Sequence, residues 1–119
     1  MTITGIDHVQ VAAPAGCEEA ARAFYGGLLE LVEIPKPALL AARGGCWFTA
    51  GAQELHIGVD DPFTPARKAH PGLVADDLDA LAARLSSAGH AVDFDDAIPG
   101  AKRFHVHDPF GNRLEIRQA

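Results

Sequence analysis

Residues 3–12, "ITGIDHVQVA", alternate: Ile6, His8 and Gln10 fall on one face and Asp7, Val9 and Val11 on the other. Period-two alternation rich in β-branched residues predicts a strand. In "PAGCEEAARAFYGGLLEL" the period changes, and Ala21, Phe24, Tyr25, Leu28 and Leu29 recur at helical spacing. Glu18 and Glu19 stand where a helix dipole favours acids, while Gly26 and Gly27 weaken the second half. "LVEI" (31–34) predicts a short strand closed by Pro35 and Pro37. "CWFTA" (46–50) and "QELHIGV" (53–59) predict a hairpin around Gly51–Ala52, and "DDPFTPARKA" (60–69) a linker.

The pattern then restarts. "AHPGLVA" (69–75) predicts a strand, at an edge or irregular because of Pro71. Asp76 is positioned to cap "DLDALAARLSSAG", whose Leu78, Leu81, Ala82 and Leu85 form one stripe before Gly89. "AVDF" (91–94) predicts a strand and "DDAIPGA" a loop. "KRFHVH" and "NRLEIRQ" predict a hairpin, with Pro109 and Gly111 supplying the turn. The order strand, helix, three strands thus occurs twice. His8 aligns with His70 at an offset of 62 residues, and "LHI" (55–57) matches "LEI" (114–116). An internal duplication follows. The expected fold is α+β: one domain of two βαβββ modules, about 3–60 and 69–118. Its cupped, partly open, barrel-like sheet of eight strands encloses a cleft, with helices outside.

Composition narrows the function classes. At 119 residues and 48% hydrophobic, the chain suits one folded core. A formal charge of −6 opposes binding to nucleic acid or an anionic membrane. No apolar run approaches the roughly 20 residues of a membrane-spanning helix. "MTITGIDHVQV" lacks the basic-then-apolar order of a signal peptide. Cys17 and Cys46, outside any CxxC spacing, read as reduced thiols, and the expected location is cytoplasmic.

Strand parity then selects chemistry-bearing positions. His8 points with Gln10, Glu54 points with His56, His70 opposes Leu73, and Glu115 opposes Leu114 and Ile116. Under the duplication His8 pairs with His70, and His56 with Glu115, about one pseudo-two-fold axis. Imidazoles plus a carboxylate, without thiolate, suit one divalent ion: Zn, Ni, Fe, Mn or Co. His8, His56, His70 and Glu115 are therefore the expected metal ligands. His8, His70 and Glu115 alone would already make a two-histidine, one-carboxylate site. Arg103 and His105 share a strand face, reading either as partly solvated positions near a barrel mouth or as an oxyanion partner and a proton shuttle. Only one of Trp47 and Phe48 can face the cleft, with core packing the plain role of either. His107, nearest the turn, is expected at the surface, and His90 beside a helix end.

"GIDHVQVAAP", "FYGGLLEL", "AHPGLVADDLDAL" and "HDPFGNRLEI" resemble the vicinal oxygen chelate superfamily. That superfamily includes glyoxalase I, extradiol dioxygenases, fosfomycin-resistance transferases and bleomycin-resistance proteins. The resemblance covers nearly the whole chain. It implies paired βαβββ modules, a homodimer, and a divalent metal chelating vicinal oxygens of a small-molecule substrate. The superfamily's first-strand histidine falls on His8, its fifth-strand histidine on His70 and its last-strand glutamate on Glu115. Its fourth-strand ligand falls on His56 or Glu54, and His105 falls on a substrate-facing position.

The expected activity is proton transfer of the glyoxalase type, a lyase or isomerase reaction in which the metal stabilises an enediolate-like anion. Glu54 and His105 are the expected catalytic residues, with Arg103 and Gln10 meeting the substrate. The alternatives are Fe(II)-dependent ring cleavage and a metal-free protein that sequesters a drug or metabolite.

Overall fold

A computed structural model describes residues 1–119. The strands are β1 (His8–Ala13), β2 (Val32–Ile34), β3 (Cys46–Ala50), β4 (Gln53–Val59), β5 (Gly72–Ala75), β6 (Asp93–Phe94), β7 (Arg103–His107) and β8 (Arg113–Gln118). The helices are α1 (Glu18–Ala21), which runs on as a π-helix over Arg22–Leu28, then α2 (Ala38–Ala41) and α3 (Leu78–Ser87). The strands form two open four-stranded sheets, ordered β1-β4-β3-β2 and β5-β8-β7-β6, an α+β arrangement without a closed barrel. Residues Met1–Thr64 and Pro65–Ala119 are separate compact units, each holding one sheet.

The duplication extends to the register of each ladder. In the first unit Gln10 stands opposite His56, and in the second Gly72 stands opposite Glu115. His8 and His70 each lie two residues before those positions, as the offset of 62 requires. On the neighbouring strands Trp47 is the partner of His56, and His105 the partner of Glu115. Equivalent places in the two ladders therefore carry an indole and an imidazole on the third strand, an imidazole and a carboxylate on the fourth.

Each sheet has one apolar face. Phe48, Leu55 and Ile57 are buried with Phe24 and Tyr25 of the π-helix. In the second unit Phe104, Val106, Leu114 and Ile116 are buried, as are Leu78, Leu81, Ala82 and Leu85 of α3. Burying a side chain of this size contributes roughly 1.5–3 kcal/mol before entropy is charged. The alternation that hides these residues turns Glu54, His56, His105 and Glu115 to the other face.

Several boundaries differ from the sequence expectation. The first strand begins at His8, although the Asp7 carbonyl still accepts from Glu54 N at 3.2 Å. The expected single helix shortens, and its second part widens into a π-helix over Arg22–Leu28 that includes the weak helix formers Gly26 and Gly27. The turn of helix at 38–41 carried no apolar periodicity long enough to reveal it. Asp77, not Asp76, caps α3: its carboxylate accepts from the Ala80 backbone N–H at 3.0 Å. β5 starts at Gly72, after His70 and Pro71, because proline has no N–H to give the ladder. Its carbonyl still accepts from Glu115 N at 3.1 Å, so His70 stays tied to the β8 edge.

The β7–β8 turn is held by one buried carboxylate. Asp108 accepts from Phe110 N at 2.9 Å, Asn112 N at 2.8 Å and Asn112 Nδ2 at 2.9 Å. Gly111 adopts φ +92°, which other residues rarely reach, and so permits this tight return. Asp108→Ala leaves buried donors unpaired and is expected to cost about 1–3 kcal/mol. Urea denaturation followed by circular dichroism measures it; a midpoint equal to the parent's would contradict this account of the turn.

Candidate metal centre

The second unit gathers His70, His105 and Glu115, whose ligand atoms lie within 4.8 Å of one another. The pleat sets His105 beside Glu115 as a cross-strand pair, and Pro71's link to β8 brings in His70. Glu115 Oε1 is 3.5 Å from His105 Nε2 and 3.8 Å from His70 Nε2. These separations are close to the roughly 3–3.5 Å produced by 2.0–2.2 Å bonds around a tetrahedral ion.

Tautomers favour the same use. His70 Nδ1 lies 2.8 Å from the Lys68 carbonyl oxygen, an acceptor only, so Nδ1 carries the proton. Nε2 then presents its lone pair towards Glu115. His105 Nδ1 lies 3.9 Å from Asp95 Oδ2, beyond hydrogen-bond reach, so only the His70 tautomer is fixed from behind. An imidazole whose far nitrogen is fixed by a carbonyl or carboxylate is the usual setting of a metal-ligating histidine. The donor set therefore fits a divalent ion.

A cation already stands at this oxygen. Arg103 Nη1 is 2.5 Å from Glu115 Oε1, and its Nη2 is 2.9 Å from Asp95 Oδ2. Burial alone would raise the Glu115 pKa, but the hydrogen bond and charge of Arg103, with His105 and His70, bring it below the usual carboxylate range. Asp95 is lowered as well, first by the Ala97 backbone N–H and then, against partial desolvation, by Arg103. Asp95 lies in the "DDAIPGA" loop, and no periodicity marked it as part of a site.

The first unit carries different chemistry. His56 is buried between two rings, the Trp47 indole at 3.9 Å and 2° and the His8 imidazole at 4.3 Å and 17°. Its Nε2 bonds Glu54 Oε1 at 2.8 Å, and His8 Nδ1 bonds Asp7 Oδ2 at 2.9 Å. Gln10 lies over Gly58, where an added Cβ would stand 2.5 Å from its Nε2. Of the residues singled out in the sequence, His70, Glu115, His105 and Arg103 thus meet in the second unit. His8, His56 and Glu54 meet in the first. His107 is exposed and Phe48 is core, whereas Trp47 stands on the polar face. Burial pushes the Cys17 and Cys46 thiols up to about 11, so neither is a thiolate near neutrality.

No family model matches the chain, and no match is found among curated proteins. Solved structures do match. A glyoxalase family protein from Bacillus anthracis shares 53% identity at TM-score 0.95, covering 99% of this chain and 97% of that one. An antibiotic binding protein from Streptomyces shares 25% identity at TM-score 0.76, covering 99% and 98%. A lactoylglutathione lyase from Agrobacterium tumefaciens, at 20% identity and TM-score 0.76 over 100% and 96%, shares the fold. No helix of this chain is long and apolar enough to cross a membrane.

The depressed Glu115 pKa has a signed consequence for stability. The folded value lies below the ordinary 4.5, so its contribution is complete above that pH and is lost as pH falls through the folded value. Wild-type stability should therefore decline below about pH 4.5 more steeply than that of Glu115→Gln. Urea midpoints between pH 3 and 7 read the difference, and parallel curves would remove Glu115 from the acid-labile groups.

Proposed function

Because the chain belongs to the glyoxalase family, within the vicinal oxygen chelate superfamily, we propose that it is a divalent-metal-dependent enzyme acting on a small substrate with vicinal oxygens. The reaction is an isomerase- or lyase-type proton transfer. The observation that carries this reading is the convergence of two imidazole Nε2 atoms on one carboxylate oxygen, at His70, His105 and Glu115. Zn, Ni, Fe, Mn or Co suits this donor set. Such an ion supplies Lewis acidity towards a substrate oxygen.

The chain's own residues supply the rest. The Lys68 carbonyl orients the His70 imidazole from behind, which keeps its free nitrogen aimed at Glu115. His105, read from the sequence as a proton shuttle, is assigned here as a ligand. Within the first unit, the Glu54–His56 hydrogen bond makes a carboxylate–imidazole couple able to accept and return a proton. Burial of His56 between Trp47 and His8 restricts its ring to one orientation.

A second reading, a metal-free protein that binds a drug or metabolite, is favoured by that same stack. Parallel rings ending in the half-exposed His8 offer a flat surface to a planar ligand. The antibiotic binding protein from Streptomyces makes this the natural rival.

Metal titration separates the two. Protein prepared without a histidine tag is expected to hold about one divalent ion per chain. His70→Ala and Glu115→Ala should each weaken Zn or Mn binding at least tenfold, about 1.4 kcal/mol, while His107→Ala leaves it unchanged. A metal-free preparation that shows no thermal shift with Mn, Fe, Co, Ni or Zn would sink the enzyme reading in favour of sequestration.

A further inference from the structure

Three nitrogens converge on one atom, Glu115 Oε1, and the nearest belongs to Arg103. The distances are 2.5 Å to Arg103 Nη1, 3.5 Å to His105 Nε2 and 3.8 Å to His70 Nε2. The oxygen that two imidazoles would share with an ion is thus held by a guanidinium. The Arg103 side chain is 10% exposed, so water cannot neutralise it by solvation. Its Nε is buried and has no acceptor, so the arginine is placed for its two carboxylates and not for its full set of donors. Its second anchor, Asp95, is more exposed at 32% and lies on the flank away from Glu115's own strand. Losing Glu115 would leave the guanidinium bound to Asp95, with no carboxylate-free burial.

We propose that Arg103 is the resident cation of this site, neutralising Glu115 until a divalent ion takes over its Oε1, with Asp95 retaining the guanidinium when the ion enters. This rests on the metal reading above and adds that ion and arginine compete for one oxygen. Two cations cannot both sit against Oε1 in a poorly solvated pocket without strong repulsion. Arginine is permanently charged, so it cannot relieve that repulsion by releasing a proton as histidine does. Arg103 therefore lowers the site's affinity for every divalent ion, and ion entry displaces Arg103 Nη1. The opposite role, a clamp that orients Glu115 for the ion, predicts the opposite sign on mutation.

The test is a titration of Zn and of Mn into wild type and Arg103→Gln, with a chromophoric chelator as competitor. Glutamine keeps an amide donor near Glu115 and removes the charge. Binding to Arg103→Gln is expected to be at least tenfold tighter than to wild type. Weaker or unchanged binding by the variant, with a wild type that does bind, overturns the competition and leaves the metal reading standing. Tighter binding by a variant whose wild type takes no metal upholds the competition and overturns the metal reading for the native chain. Absence of binding in both overturns both. Should Arg103→Gln fail to fold, ¹⁵N-labelled wild type decides: the Arg103 Nε–H resonance should shift with the same midpoint as Zn binding, and a resonance that stays fixed while Zn binds overturns the proposal.

Discussion

A carboxylate placed on the inner face of a strand must find positive charge or forgo its own. Glu115 finds it in Arg103, two positions before its cross-strand partner His105 on β7. Much of the second unit follows from that requirement. The β7–β8 hairpin must return tightly enough to hold the pair in register, and Asp108 secures the turn. The 95–101 loop must come back over the sheet so that Asp95 can share the guanidinium. Pro71 must end the β5 ladder where His70 can still face the same oxygen. A net pull below the ordinary carboxylate range is the electrostatic trace of the arrangement.

The two units show how one supersecondary plan carries two chemistries. Their ladders agree in register, so Trp47 and His105 occupy one position, and His56 and Glu115 another. In the first unit an indole and an imidazole stacked at 3.9 Å gain from ring overlap and exclude water from His56. In the second, an imidazole and a carboxylate are electrostatic partners, and they recruit further charge. A duplicated backbone sets where side chains meet. The residue types decide whether the meeting place is a stacking surface or a donor cluster.

Membership of the glyoxalase family constrains the scaffold more than the reaction, since one fold can host isomerisation, ring cleavage, transfer and plain binding. The local chemistry discriminates better. Two imidazoles beside a carboxylate, one of them with its Nε2 lone pair oriented, favour an ion. A guanidinium on that same carboxylate opposes one. The balance between them is a property of four side chains, His70, Arg103, His105 and Glu115, and of no larger feature of the fold.

The sequence by itself determined the strand positions on β3, β4, β7 and β8, the side of each strand that is buried, and the duplication. These rest on local period and pleat, which any short segment displays. It also marked His70, His105, Arg103 and Glu115 as inward-facing. What only the tertiary structure decided was their partnership. Arg103, read as an oxyanion partner for a substrate, is spent on Glu115 and Asp95, because a loop without periodicity folds an acid over it. Trp47, whose plain role in the sequence was core packing, stacks on His56 because cross-strand register places them opposite each other. Capping moved by one residue, from Asp76 to Asp77, because side-chain reach to the Ala80 N–H depends on backbone dihedrals that neighbouring aspartates do not reveal. Parity along a strand is a local quantity. Which strand lies alongside, and in which register, is settled by contacts distant in the chain.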